Sequence, residues 1–278
     1  MGVAQNVKQD WKEFLMKIRQ SAVSGMFYPS ECIEIEAYIT HFNAALPKTS
    51  FELAPRALIV PHAGYIYSGY TANLAYHLAA EKCQNIKRVI VIGPSHRIYI
   101  DGASIALYDT FQTPCGGIPI DFDFSKKLKT TYPFLKFNPQ AHSEHSTEVQ
   151  MPFIKHYFKE VHVVEIVYGQ VEYEALSGLI NHLLEDTENL VVISTDLSHF
   201  YTLEEAKQLD YTCLDAIKTL NLNSFEQGCE ACGLLGVQAL VKSALHHHLK
   251  PHFLDYRTSF DKSGDDTRVV GYASFVFG

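Results

Sequence analysis

Apolar residues along the chain gather in short runs rich in Val and Ile, and most of these runs lead into a loop and then a helical pattern. The runs RALIV (56–60), KRVIVIG (87–93), HVVEIVYG (162–169) and LVVIST (190–195) predict strands, and VVGYASFVF (269–277) predicts a last one. Between them, SGYTANLAYHLAAEK (68–82), EEAKQLDYTCLDAIKTL (204–220) and CGLLGVQALVKSALHHH (232–248) carry apolar residues three and four positions apart, the spacing of helices with one buried face. Strands alternating with helices predict an α/β fold. The segment 108–150, broken by prolines and glycines, reads as long loops around short strands. No low-complexity linker, charge block or fixed-period repeat divides the chain, so a single domain over residues 1–278 is expected.

Three predicted strands run into a histidine. ALIV leads to Pro61–His62, VIVIG to Pro94–Ser95–His96, and VVIST to Asp196 and His199. In α/β sheets the loops beyond the carboxyl ends of parallel strands share one edge and form the usual ligand crevice, so these side chains are candidates to converge there. One histidine after a strand is ordinarily a loop residue bonded to the backbone; three in equivalent positions point to a site. The stretch AHSEHSTEVQMPFI (141–154) adds His142, Glu144, His145 and Glu148 as candidates, while Thr147 with Gln150 fits a helix-capping box.

Composition narrows the partners. Lys and Arg total 23 against 31 Asp and Glu, a formal charge of −8, which argues against binding a phosphate backbone. The start, MGVAQNVKQDWKEFLMKI, is too polar for a secretory signal, and no later run approaches the roughly 20 apolar residues of a membrane span. A soluble, cytoplasmic protein with no nucleic-acid or membrane partner is expected. Gly2 is set aside as a myristoylation site because Asn6 stands where Ser or Thr is required.

The six cysteines (Cys32, Cys83, Cys115, Cys213, Cys229, Cys232) predict thiols or metal ligands rather than a disulfide framework, because a core this large needs no staples. Cys229 and Cys232 form one C-x-x-C where a helix begins. A single pair does not complete a four-ligand zinc knuckle; a redox pair, a metal ligand favoured as thiolate by the helix terminus, or two small packing residues all remain open. Gly228, Gly233 and Gly236 predict close backbone approach. His246, His247 and His248 point about 100° apart on a helix and read as a helix end rather than a chelator. SFDKSGDDTR (259–268) lacks the ligand spacing of a calcium loop and reads as a turn.

Taken in order, SGMFYP (24–29), PHAGYIYSG (61–69), IGPSH (92–96), TPCGGIPID (113–121), EHSTEVQMPF (144–153), STDLSH (194–199), EACG (230–233) and RVVGYASF (268–275) resemble the Memo family, the group that includes the AmmeMemoRadiSam system protein B. The resemblance spans nearly the whole chain. It implies the fold of class III extradiol dioxygenases, with a central, mostly parallel or mixed sheet flanked by helices. It also implies a metal held by His62, His96 and Cys232, with His199, His145 and Asp196 beside it as acid, base or orienting groups. Cys229 stands as an alternative ligand or a disulfide partner for Cys232, and Cys115 falls in a family loop near the expected site.

Two imidazoles and one anion leave coordination positions open for water, substrate or O₂. The leading expectation is a mononuclear non-haem iron oxidoreductase. Fe(II) would act with a small phenolic or aromatic substrate, with Tyr65 and Tyr67 lining the pocket and His199 as base. Because thiolate favours softer ions, copper and zinc stay in play. The other readings are a zinc hydrolase and a metal-binding interaction module that holds a peptide without turnover.

Overall fold

The computed structural model describes residues 18–47, 53–83 and 85–278. The polar start of the chain, with Gly2, lies outside them. The strands, in chain order, are β1 (Ile18–Arg19), β2 (Ala57–Val60), β3 (Arg88–Pro94), β4 (Ala103–Ile105), β5 (Thr110–Thr113) and β6 (Gly116–Pro119). They continue as β7 (Leu135–Lys136), β8 (His162–Tyr168), β9 (Asn189–Ser194), β10 (His199–Tyr201), β11 (Pro251–Thr258) and β12 (Val269–Phe277).

The described residues form a nine-stranded mixed sheet in the order β10-β12-β2-β9-β3-β8-β4-β7, with β11 also paired to β12, and a small sheet β1-β5-β6. The middle four strands, β2, β9, β3 and β8, are parallel. Their runs are almost continuously apolar because both faces are covered, with the buried Glu165 inside β8 and polar residues at the strand ends as the exceptions. Leu58 and Val60 point into one core, with the helices Cys32–Ala44, Tyr65–Lys82 and Met151–Tyr157. Ala57 and Ile59 point into the other, with the helices Tyr173–Glu185, Leu203–Lys218 and Leu234–His247. Alternation along one strand thus serves two layers. The fold is α/β, with a mixed central sheet flanked by helices.

All five long predicted strands form within a residue or two of their expected bounds, and the three predicted helices form within three. The helices Cys32–Ala44, Phe122–Thr131, Met151–Tyr157 and Tyr173–Glu185 lie where the pattern reading placed none. The first holds β-branched residues that lower helix propensity, yet Ile35, Ile39 and Phe42 fall on one buried face, and packing overrides propensity. In Met151–Tyr157 the proline is in the first turn, where its missing N–H has no helical partner to lose. The expected capping box at Thr147 and Gln150 does not form. Glu144 caps the short helix His145–Glu148 instead, and Thr147 Oγ1 donates to Glu165.

The cysteine expectation is corrected. Cys32 is bonded to Cys115 and Cys213 to Cys229, leaving Cys83 and Cys232 as free thiols among the described residues. Pairing across 83 residues of sequence depends on which elements the fold brings side by side, and spacing cannot show it. Gly228 is also corrected: it adopts φ +112° in an open turn, so conformation rather than close approach requires glycine there.

Candidate metal centre

Because β2, β9 and β3 are neighbours and run parallel, their carboxyl ends deliver Pro61–His62, Thr195–Asp196 and Ser95–His96 to one edge of the sheet. Two glycines let other segments reach that edge. A side chain at Gly93 would meet Ser146 Oγ at 2.7 Å, so glycine admits the helix His145–Glu148 against β3. A side chain at Gly233 would meet Thr195 Cβ at 2.6 Å, so glycine lets Cys232 arrive beside Asp196.

The result is a cluster of His62, His96 and His145, each offering a ring nitrogen within 4.8 Å of the others. His62 is buried. Its Nδ1 lies 2.9 Å from Ser194 Oγ, whose single hydrogen is donated to the Ser146 carbonyl. Gln150 Nε2 also donates to Ser194 Oγ, at 2.9 Å. Ser194 therefore accepts from His62, which fixes the proton on Nδ1 and leaves Nε2 as a lone pair facing the cluster. Burial, reinforced by His96 and His145, holds the His62 imidazole well below its ordinary pKa, so the ring is neutral.

Glu144 performs the same service for the other two rings. One oxygen lies 2.7 Å from His145 Nδ1 and 3.4 Å from His96 Nδ1. The carboxylate also accepts the backbone N–H groups of His145 at 2.8 Å and His96 at 2.6 Å. Burial opposes ionisation of Glu144, but the hydrogen bonds from His145 and His96 outweigh it and hold the carboxyl well below its usual range. With each Nδ1 engaged from behind, all three rings present Nε2 forward, the arrangement that metal-ligating histidines adopt.

Cys232 lies beside the cluster rather than within it: its Sγ is 3.3 Å from His62 Nε2, but it is not among the residues whose donor atoms all fall within 4.8 Å of one another. Donors at Zn-like bond lengths around a tetrahedral ion sit about 3.5 Å apart, so the pair matches a shared cation. The sulfur accepts the Asp196 backbone N–H at 3.2 Å. Burial, and then the charge of Asp196, push the Cys232 thiol up to about 12, so without a cation it keeps its proton. A metal ion supplies the charge that removes it. Asp196 Oδ1 accepts the His62 backbone N–H at 2.7 Å, which anchors that loop, and burial raises its carboxyl above the ordinary value. His199, half-buried on β10, is near enough to act electrostatically on both His62 and Asp196. The donor set of three imidazoles, that of His62 neutral, with a thiol beside it fits a mononuclear transition-metal or zinc ion.

Beside the cluster opens a cleft of about 420 Å³ lined by Phe27, Tyr28, Tyr38, Tyr65 and Tyr67. Phe27 joins cleft to cluster, its ring centroid 4.7 Å from that of His145. Tyr65 is buried, with its hydroxyl on the Val149 carbonyl and its ring stacked on Phe153, and Tyr67 is the exposed one of the two. Two candidates go elsewhere. His142 bonds Glu165 through Nδ1 and Ser104 through Nε2, and Glu148 binds Arg19, Tyr28 and the backbone of Ala22 and Val23. Ser194 and Gln150 escaped sequence reasoning. The one available signal was a polar serine closing an otherwise apolar strand.

A family model described as Memo-like protein matches residues 19–276. A MEMO1 family protein of Aquifex aeolicus is 32% identical over 273 residues, covering 94% of this chain and all of its own length. Another, from Methanobrevibacter smithii, is 33% identical over 285 residues, covering 94% of this chain and 99% of its own. The fold is similar to that of an uncharacterized protein, JW3007, from Escherichia coli K12, with a TM-score of 0.51 and 12% identity over 80% of this chain and 99% of that one.

Proposed function

The chain belongs to the Memo family, and from that premise we propose that it is a mononuclear metal-dependent oxidoreductase using Fe(II), held by His62, His96 and Cys232 with His145 alongside. The proposed substrate is a small phenolic or aromatic molecule seated in the aromatic cleft. The observation that carries this reading is the convergence of three imidazoles at the carboxyl edge of the sheet, a ring nitrogen of each within 4.8 Å of the others and each Nδ1 held from behind.

When bound, the ion supplies Lewis acidity and a one-electron couple with open coordination positions. The chain's own residues do the rest. Glu144 and Ser194 orient the rings, and the Cys232 thiol gives up its proton when a metal binds. The Asp196 N–H hydrogen bond supports the Cys232 sulfur as thiolate once a cation is present. Phe27 and Tyr67 offer flat apolar surface to a ring, with Tyr65 packed behind them, and His199 is the base that takes the phenolic proton.

The test is metal content of protein purified without oxygen, with O₂ uptake on a catechol panel. Wild type is expected to hold near-stoichiometric iron, and His62→Ala and Cys232→Ala to lose most of it while staying folded. Full retention in both variants overturns the ligand set. His199→Ala should keep the metal and lose O₂ uptake; metal loss there would make His199 a ligand. Iron without O₂ uptake in wild type would favour a binding module, and zinc-dependent ester hydrolysis a hydrolase.

A further inference from the structure

A second group of metal-type donors lies away from the histidine cluster. Cys32 is the first residue of the helix Cys32–Ala44, and Glu36 follows one turn later on the same face. Cys115 sits in the turn between β5 and β6, where Gly116 takes φ +103° to close the hairpin. The two sulfurs and a Glu36 carboxylate oxygen lie within 4.8 Å of one another. Helix spacing brings Glu36 beside Cys32, and since a disulfide has no hydrogen to donate, the carboxylate makes no hydrogen bond to the sulfurs as they stand. Glu36 is held in place from its other side, with Oε2 2.8 Å from His156 Nδ1. That is the support a ligating carboxylate needs.

The other pair differs. Cys213 and Cys229 are buried in the apolar core at 0% and 7% exposure, whereas Cys32 and Cys115 are half-buried and open to reductant and ions. From this contrast we propose that Cys32, Glu36 and Cys115 form a second metal site in the reduced protein, taking a zinc-type divalent cation in place of the disulfide.

The exchange balances. A cellular dithiol gives one hydrogen to each sulfur as the S–S bond breaks, and leaves as its own disulfide. The cation then binds both sulfurs and releases the two thiol protons. Two thiolates and a carboxylate leave a fourth position for water, and sulfur donors select zinc over magnesium or calcium. Either state ties the helix Cys32–Ala44 to the β5–β6 hairpin. In a reducing compartment, where disulfides do not persist, the cation keeps that tether.

Cobalt(II) titration of the full chain carrying Cys232→Ala tests the site, because no sample then holds the thiol of the histidine cluster. After reduction by a phosphine, one equivalent of cobalt should develop thiolate-to-metal absorption that zinc displaces, and the oxidised protein should show none. Adding Cys32→Ser or Cys115→Ser should abolish the band. Glu36→Gln, which retains both thiols, should keep it with affinity lowered by about tenfold or more. Absence of the band after reduction overturns the proposal. So does a band that survives Cys115→Ser, which would assign the cation to Cys213 and Cys229.

Discussion

Two polar clusters share the segment from His142 to Gln150 and are built to opposite ends. In the first, which is buried, Arg19, His142, Glu148 and Glu165 bond to one another, with Arg19 Nε the one buried side-chain nitrogen among them that lacks a partner. His142 uses both ring nitrogens, and Glu148 accepts from Arg19, Tyr28, Ala22 and Val23. In the second, Nδ1 of each of His62, His96 and His145 is held from behind, a ring nitrogen of each lies within 4.8 Å of the others, and His62 Nε2 meets the Cys232 thiol. A closed network holds the fold together; an open one holds a place for something else. The difference lies in what is left over and in burial: the first set is sealed from solvent, whereas the side chains of His96 and His145 are 31% and 17% exposed.

Removing a partner from the closed cluster should have the largest effect. Glu148→Ala strands a buried guanidinium, two backbone N–H groups and a tyrosine hydroxyl, and should cost about 3–5 kcal/mol in urea unfolding. A loss below about 1 kcal/mol would break the assignment of this cluster to stability. The matching change in the open cluster, Glu144→Gln, keeps the helix cap but weakens the hold on two Nδ1 protons. It should lower metal affinity roughly 10–100-fold, read by competition with a chelator. Unchanged affinity would mean that Glu144 does not orient the rings.

The smallest expected effect is a pH dependence of the metal-free protein. Burial lowers the folded pKa of His62 beneath 6.5, so below that pH the unfolded chain binds the proton that the folded one refuses. Stability is complete above pH 6.5 and falls as pH drops, by at most about 1.4 kcal/mol per pH unit for one group. Glu144, also lowered, adds a further loss below its ordinary value of 4.5, while Asp196, raised above 3.8, partly offsets it. Urea midpoints at pH 7.5 and 5.5 check this. Equal midpoints would show that His62 accepts a proton without cost in the folded state.

Much of this was legible in the chain. The apolar runs marked the parallel strands because burial on both faces requires continuous hydrophobicity, and the histidines at their ends marked the edge where a site would stand. What was not legible were the contacts. His142 and His145, three residues apart, look alike in sequence, yet one meets Glu165 and Ser104 and the other meets Glu144 and the cluster. The cysteines misled for the same reason: Cys229 pairs with Cys213 on a neighbouring helix and leaves Cys232 alone.

The sequence by itself determined the α/β class, the strand positions and which residues follow each strand, since these depend on periodicity along a few consecutive residues. Only the tertiary structure decided that β2, β9 and β3 lie side by side, that Ser194 sets the proton of His62 from 132 residues away, and that Glu144 grips His96 across 48. Those are facts about pairing in space. A hydrogen bond between distant residues leaves no period in the chain that makes it.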